Sequence, residues 1–175
     1  PAAIAAGFSL STFASGFPSI TGAGPLGITF TDSGGVMVSD FPGNVRVFPT
    51  DSDGQSAASA PVGGFYGFDN ALGLDRIKPN AGTPAQFFMA GTASGKIVQL
   101  NADGSFNQDI VPVPSLGMVA NPANGHLLVS FFPDPNIVDV DPVAKTSRIL
   151  VSGVGGQVPD GLAISPNGDV VYVAN

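Results

Sequence analysis

Along the chain, short apolar runs alternate with clusters of Gly, Pro, Asn, Asp and Ser, and no run carries a 3.6-residue period flanked by caps. The pattern therefore predicts β-strands joined by turns, with almost no helix. Four segments align on a shared glycine: PLGITFTDSGGVMVSD from Pro25, ALGLDRIKPNAGTPAQFFMAG from Ala71, SLGMVANPANGHLLVSF from Ser115 and PDGLAISPNGDVVYVAN from Pro159. The anchors Gly27, Gly73, Gly117 and Gly161 stand 46, 44 and 44 positions apart. That period is the length of one four-stranded unit in a radially repeated all-β architecture, the blade of a propeller.

Within each repeat, strand A is the run after the anchor glycine, such as Ile28 to Phe30 or Leu162 to Ile164. A turn of Asp, Asn, Pro and Gly follows (Asp32 to Gly35, Asn121 to Gly125, Ser165 to Gly168), because these residues tolerate positive φ or pre-set the bend. Strand B is Val36 to Ser39, Phe87 to Ala90, Leu127 to Ser130 and Val171 to Ala174; strand C is Val45 to Phe48, Ile97 to Leu100 and Ile137 to Val140. Strand D falls at Asn107 to Val111 and Ser147 to Val151, and the second repeat has a longer A-to-B turn through Lys78 and Gly82. Ala14 to Phe17 resembles Val151 to Val154 at the close of strand D, so Phe8 to Ala14 reads as the outer strand of another blade. The expected units are 8–24 as that strand and its lead-in, blades at 25–70, 71–114 and 115–158, and the first two strands of a further blade at 159–175. A ring of six would need roughly 270 residues at this period. The chain therefore reads as an incomplete ring, either a fragment of a longer protein or one of two chains joined through open blade edges. Ile28, Phe30, Leu74, Val119, Leu162 and Ile164 on strand A, with Val38, Phe88, Val129 and Val173 on strand B, are expected to be buried, since neighbouring blades cover both faces.

Composition narrows the function classes. The 175 residues suffice for one domain with a sizeable core. All 13 acidic residues are Asp, and 6 Lys and Arg leave a net charge of −7, which disfavours phosphate backbones and anionic headgroups and so argues against a nucleic-acid partner. No apolar run approaches the ~18 residues of a membrane span. With no Cys, disulfides, thiolate metal sites and cysteine nucleophiles are excluded. The sequence starts at Pro1, as a cleaved export signal or an expression boundary would leave it, and a secreted or periplasmic location is the expectation.

Strands that alternate in direction place the D-to-A and B-to-C connections at one end of a blade, and the A-to-B and C-to-D turns at the other. The residues before the anchors are Leu26, Leu72, Leu116 and Asp160, so Asp160 is the outlier of its column. The B-to-C loops add Asp40, Asn44, Asp134 and Asn136, with Asn175 after the last strand, all oxygen ligands of the kind Ca²⁺ takes. One reading is a metal or polyol site with Asp160 and Asn175 on the ion; the other is an Asx-type turn at Asp160 and Gly161. At the same end the run GGFYGFDN sets Tyr66 beside Asp69 and Asn70, which suits a glycan or protein ligand and equally a plug between blades. His126 follows an A-to-B turn at the opposite end and reads as a lone exposed histidine out of reach of Asp160, which removes a Ser-His-Asp relay. Asp51 to Gly54 has the start of a calcium loop, but it aligns with Asn101 to Gly104 and has no closing Glu, so it reads as a C-to-D turn.

GPLGITFTDSGGVMVSD and VPDGLAISPNGDVVYVAN resemble blades of the six-bladed propellers of the gluconolactonase and senescence-marker-protein family, with NHL-type and YVTN-type propellers also similar. The resemblance covers roughly residues 8 to 175, and its motifs are shared by propellers in general. It implies a divalent ion held by the Glu of a G-E-G-P motif, an Asn and the Asp of a P-D-G motif, which polarises a lactone carbonyl and a water. Pro159-Asp160-Gly161 matches the last motif, whereas Gly22-Ala23-Gly24-Pro25 carries Ala23 in place of the Glu, and the chain has no Glu at all. Two functions are thus expected to compete: an exported, non-catalytic binding module for a protein or glycan on the D-to-A face, and a lactonase-like hydrolase with an altered site. Any Ca²⁺ site is expected to be weak, in the roughly 10⁻⁴ to 10⁻³ M range.

Overall fold

The structure, a computed structural model, describes residues 7, 9–65, 71–78, 85–91, 95–154 and 159–174. No helix occurs among them. Three four-stranded antiparallel sheets follow one another along the chain. The first orders β2 (Pro25–Phe30), β3 (Val36–Asp40), β4 (Asn44–Phe48) and β6 (Val62–Phe65). The second holds β7 (Ala71–Ile77), β8 (Gln86–Gly91), β9 (Lys96–Leu100) and β10 (Phe106–Val111), and the third β11 (Ser115–Ala120), β12 (Leu127–Phe131), β13 (Asn136–Asp141) and β14 (Thr146–Val151). β15 (Leu162–Ile164) and β16 (Val171–Val173) form a two-stranded sheet at the start of the next repeat. The chain is thus built of β-propeller blades. The expected A-to-B turns of the first, third and fourth repeats are present, with Gly34, Gly125 and Gly168 at φ 84°, 74° and 81°, a region that side chains with a Cβ rarely occupy; the second repeat's turn at Gly82 lies outside the described residues.

Strands A of successive sheets lie side by side, β2 against β7, β7 against β11 and β11 against β15. The anchor glycines make this approach possible. A Cβ on Gly27 would sit 2.6 Å from Leu74 Cβ and 2.9 Å from its backbone nitrogen, and a Cβ on Gly73 would sit 2.9 Å from Met118 Cβ and 3.0 Å from its nitrogen. At Gly117 the space is filled by the backbone of Asp160 and Leu162. At Gly27 and Gly73 the residue that follows the next blade's anchor packs onto the glycine, whereas at Gly117 the carbonyl of Asp160, the residue before the next anchor, lies nearest. Strand A therefore runs through its anchor in the first three repeats and begins earlier than the apolar pattern suggests.

The core lies between blades. Met37, Val45, Leu74, Phe87, Val98 and Leu100 fill the first seam; Phe88, Ile97, Met118, Leu127, Val129, Val138 and Val140 are among those in the second. β3 is buried at every position, and β14 is exposed at every position, as expected for a strand inside the sheet and one on its rim. Of the expected core, Leu74, Val38, Phe88 and Val129 are buried and Val119, Leu162, Ile164 and Val173 half-buried. Ile28 and Phe30 depart from expectation, at 58% and 52% exposed. They alternate with Gly27 and Thr29, which face the second blade, so they point to the opposite side, where no described blade lies.

The outer half of that side is covered by the chain itself. β1 (Ala14–Ser15) pairs in parallel with β5 (Gln55–Ser56) in the first blade's C-to-D connection, and Phe13 and Phe17 place their rings 5.1 and 6.0 Å from that of Phe48. Among the described residues, then, this segment pairs with the first blade's C-to-D connection and packs on the blade's free face. Phe8 lies outside the described residues.

The anchor contacts yield a test. Gly27→Ala and Gly73→Ala should each destabilise the fold by about 1–3 kcal/mol, the range for overpacking a filled interior, because the added methyl meets backbone as well as side chain. Urea unfolding of the purified variants measures this. Wild-type stability in both would mean that the glycines are not close-approach points.

Candidate functional site

At the first nominated end the Asp40 carboxylate is already engaged. Asp40 is fully buried: Oδ1 accepts hydrogen bonds from the Asn44 backbone N–H at 2.8 Å and from Asn44 Nδ2 at 2.9 Å, and Oδ2 accepts from Nδ2 at 2.9 Å. Arg46 Nε lies 3.8 Å from Oδ2, while its Nη1 donates to the carbonyl of Ala57 at 2.7 Å. Asp40, Asn44 and Arg46 therefore close the β3–β4 turn and tie down the connection at Ala57. Asn136 is half-buried; its N–H donates to the Asp134 carbonyl at 2.8 Å, and both line a cavity of about 220 Å³ on the third blade.

Asp160 is exposed. Its N–H donates to the Ala174 carbonyl at 2.9 Å and its own carbonyl accepts from Ser130 Oγ at 3.4 Å, so the backbone joins the third and fourth repeats while the carboxylate faces solvent. Ala23 forms a bridge with Ile20 around a tight turn in which Thr21 and Gly22 have φ of 52° and 88°. Tyr66, Asp69, Asn70 and Asn175 lie outside the described residues. Among the described residues no three His, Cys, Asp or Glu side chains are grouped so as to hold a metal ion, and the donors that can be placed do not fit a divalent centre.

His126 corrects the sequence reading of a lone, exposed turn residue. Its side chain is 27% exposed and its Nδ1 lies 2.9 Å from Asp139 Oδ1, with Nε2 3.7 Å from Asp141 Oδ2. Asp139, on β13 and buried, also accepts from Arg148 Nε at 3.0 Å and Nη2 at 2.8 Å across to β14. The three residues are separated by 13 and 9 positions, and only the B–C–D register, Leu128 opposite Asp139 opposite Arg148, brings them together. Asp141 is held below the usual carboxylate range by the N–H groups of Ala144 and Val143 and by the nearby histidine.

The strongest constellation lies at the opposite end, where strands A turn into strands B. A cavity of about 740 Å³ opens there, lined by Thr29 and Phe30 of the first blade, Asp75 to Lys78 of the second, Val119 to Gly125 of the third and Ile164 to Pro166 of the fourth. Asp75 sits where three blades meet. Its Oδ2 accepts the Ala120 N–H at 2.7 Å from the next blade, its Oδ1 accepts its neighbour Arg76's N–H at 2.8 Å, and Thr29 Oγ1 of the preceding blade lies 3.5 Å from Oδ1. Burial pushes the Asp75 carboxyl above its ordinary value, and the N–H donors of Ala120 and Arg76 only partly offset this. Beside it Arg76 Nη1 pairs with Asp32 Oδ1 at 2.7 Å. On the third blade Asn121 and Asn124 each turn Oδ1 back to a backbone N–H, of Ala123 and His126, both at 2.9 Å. The mouth therefore offers amide and backbone hydrogen-bonding groups around an apolar rim. Sequence reasoning passed over Asp75, although the column that held it, Thr29, Asp75, Val119 and Ala163, contains one carboxylate, the same signal that drew attention to Asp160.

No protein-family model matches the sequence, and no curated protein matches it. Solved structures do. The chain is similar to one in the nidogen/laminin complex (TM-score 0.71, 16% identity, 91% of this chain and 59% of that one). It is also similar to a catalytically inactive virginiamycin B lyase from Staphylococcus aureus with quinupristin (0.61, 15%, 90% and 51%). A third likeness is to the Cps50 (Swd1) β-propeller domain of Myceliophthora thermophila (0.58, 11%, 86% and 48%). These likenesses establish the propeller fold alone. The chain spans about half the length of the solved chains it matches.

The raised Asp75 pKa fixes a sign. Below 3.8 the carboxyl is protonated in folded and unfolded chains alike; as pH rises through the folded value, the unfolded chain loses its proton first and the folded state loses stability. The stability of wild type relative to Asp75→Asn should therefore decline between pH 3.8 and neutrality. Denaturant melts of both proteins across that range check it, and a wild type that gains stability relative to the variant as pH rises would contradict the burial argument.

Proposed function

We propose that the chain is an exported, non-catalytic binding module that takes a protein partner at the mouth where strands A turn into strands B. The observation that carries this reading is the cavity of about 740 Å³ shared by four repeats. Its carboxylate is already engaged by backbone donors from two blades, so the groups left to meet a ligand are the amides of Asn121 and Asn124, the Lys78 ammonium and an apolar rim. Such a mixed, concave lining suits a loop of a partner protein. A structure similar to this chain is itself part of a protein complex, that of nidogen with laminin. The low charged fraction and absent Cys are compatible with export.

The lactonase-like reading rests on the Pro159-Asp160-Gly161 motif and the exposed Asp160 carboxylate. It has Ala23 where its Glu would stand, and Asp40 and Asn44 are occupied with each other. Ca²⁺ added to the protein should bind no tighter than roughly 10⁻⁴ M, and less still to Asp160→Ala. Titration calorimetry measures both, and micromolar binding lost in that variant would favour the hydrolase.

Peptides selected from a random displayed library test the binding reading. They should bind the wild type and lose about tenfold or more in affinity on Pro122→Trp, which fills the rim from an exposed turn position. Glucono-δ-lactone with Mg²⁺ or Ca²⁺ should disappear no faster than in buffer. Metal-dependent turnover, or peptides indifferent to the rim substitution, would overturn the proposal.

A further inference from the structure

Four of the described aspartates are not exposed: Asp40, Asp75, Asp139 and Asp141. Three of them have a basic side chain at hand. Arg46 Nε lies 3.8 Å from Asp40, Arg148 Nη2 2.8 Å from Asp139 and His126 Nε2 3.7 Å from Asp141. Among the described residues Asp75 is the exception. The guanidinium of its neighbour Arg76 pairs with Asp32 of the first blade at 2.7 Å, and it lowers the Asp75 carboxyl less than any of the three hydrogen bonds does. Those bonds come from the N–H groups of Ala120 and Arg76 and the hydroxyl of Thr29. All three donors are neutral. They take up three of the roughly four lone-pair sites of a carboxylate and leave its charge without a counter-charge, which is costly away from water.

The seams on both sides of Asp75 belong to the chain itself, since the second blade lies between the first and the third. Neither seam supplies the cation. Residues 79–84, which lead from Lys78 to the next strand, include no Lys or Arg, and Lys78 is exposed at the rim of the cavity. Asp75 itself lines that cavity, so a group entering from outside can reach it.

We infer that the mouth takes a basic side chain of its partner, the ammonium of a Lys or the guanidinium of an Arg, on the carboxylate of Asp75. This rests on the reading of the mouth as a protein-binding site and adds charge recognition to its amide and apolar lining. Two further features agree with it. A net charge of −7 attracts a basic partner, and Phe30, Ile77, Val119 and Ile164 in the lining suit the aliphatic stem behind the cation.

Two small probes, the N-acetyl amides of arginine and of citrulline, test this on the wild-type chain without any selected peptide. They match in shape and differ in charge. Followed by NMR of the isotope-labelled chain, the arginine probe should move the Ala120 and Arg76 amide signals and bind about tenfold or more tighter than the citrulline probe. Asp75→Asn should abolish that preference, and the wild-type comparison stands however the variant folds. A wild type indifferent to the charge, or a preference that survives in a folded Asp75→Asn, would overturn the inference. Peptides selected on the wild type should carry a Lys or Arg whose replacement by norleucine or citrulline costs about 30-fold in affinity. Peptides that are lost on Pro122→Trp yet contain no basic residue would overturn the inference and leave the binding module standing. A charge-selective arginine probe with no selectable peptide would support the cation site and overturn the protein-partner reading.

Discussion

The close approach of strand A to strand A across each seam is the constraint on which the remaining structure depends. A glycine within a strand costs about 0.5–1 kcal/mol in backbone entropy and offers no side chain to pack. Here the cost is offset because the absent Cβ lets Leu74 and Met118 bring their backbones into contact with the preceding blade. That separation fixes how far the sheets can splay. Further out, where no glycine intervenes, whole side chains such as Phe87, Phe88, Leu100 and Leu127 fill the widening wedge. The inner contact and the outer wedge of apolar volume together set the angle between blades.

Polar groups at the seams act on the same geometry from the two ends. Asp75 receives the Ala120 N–H of the next blade, and Arg76 of the second blade reaches Asp32 of the first. On the outer side Lys145 Nζ donates to Gln108 Oε1 at 2.7 Å across the second seam, and Gln108 continues to Gln99 at 2.6 Å. The exposed pairs among these add little individually. Asp75 differs because it is largely removed from water, so its hydrogen bonds to backbone specify the register of neighbouring blades, and loss of one partner would leave a buried acceptor unsatisfied. A low charged fraction is consistent with this use, since several of the few charges are committed to seams and turns.

The repeat was legible in the sequence because the anchor glycine must recur wherever one blade meets the next, and because turn chemistry between strands is carried by residue type. Strand D was less legible: Phe106–Val111 and Thr146–Val151 lie on the rim, where β14 has no buried position to impose an apolar pattern. The exposure of Ile28 and Phe30 was not legible at all, since a strand that is apolar on both faces does not say which face finds a neighbour. For the candidate site, aligning columns succeeded in isolating carboxylates but misjudged which one was held among blades. Asp160 follows a valine-proline pair and precedes a glycine, and it is solvent that receives its side chain; Asp75 follows Leu74, which packs on the first blade, so alternation turns Asp75 toward the third. His126 was read as isolated because its partners Asp139 and Arg148 are neighbours only through strand pairing.

The location of the candidate site follows from which parts of a blade are free to vary. The inner strands are fixed by the glycine contacts, and β3 and β12 are buried from end to end or nearly so, so substitutions there disturb the packing of two seams at once. At the B-to-C end of the first blade, Asp40, Asn44 and Arg46 spend their polar groups on closing a turn. The A-to-B turns are different: Asn121 and Asn124 secure their own backbone through one oxygen each and line the cavity, while Pro122 and Pro166 pre-set the bends. A change in those turns alters the chemistry of the cavity without altering the distance between blades. The lining can therefore vary at that end while the glycine contacts keep the walls of the cavity in place.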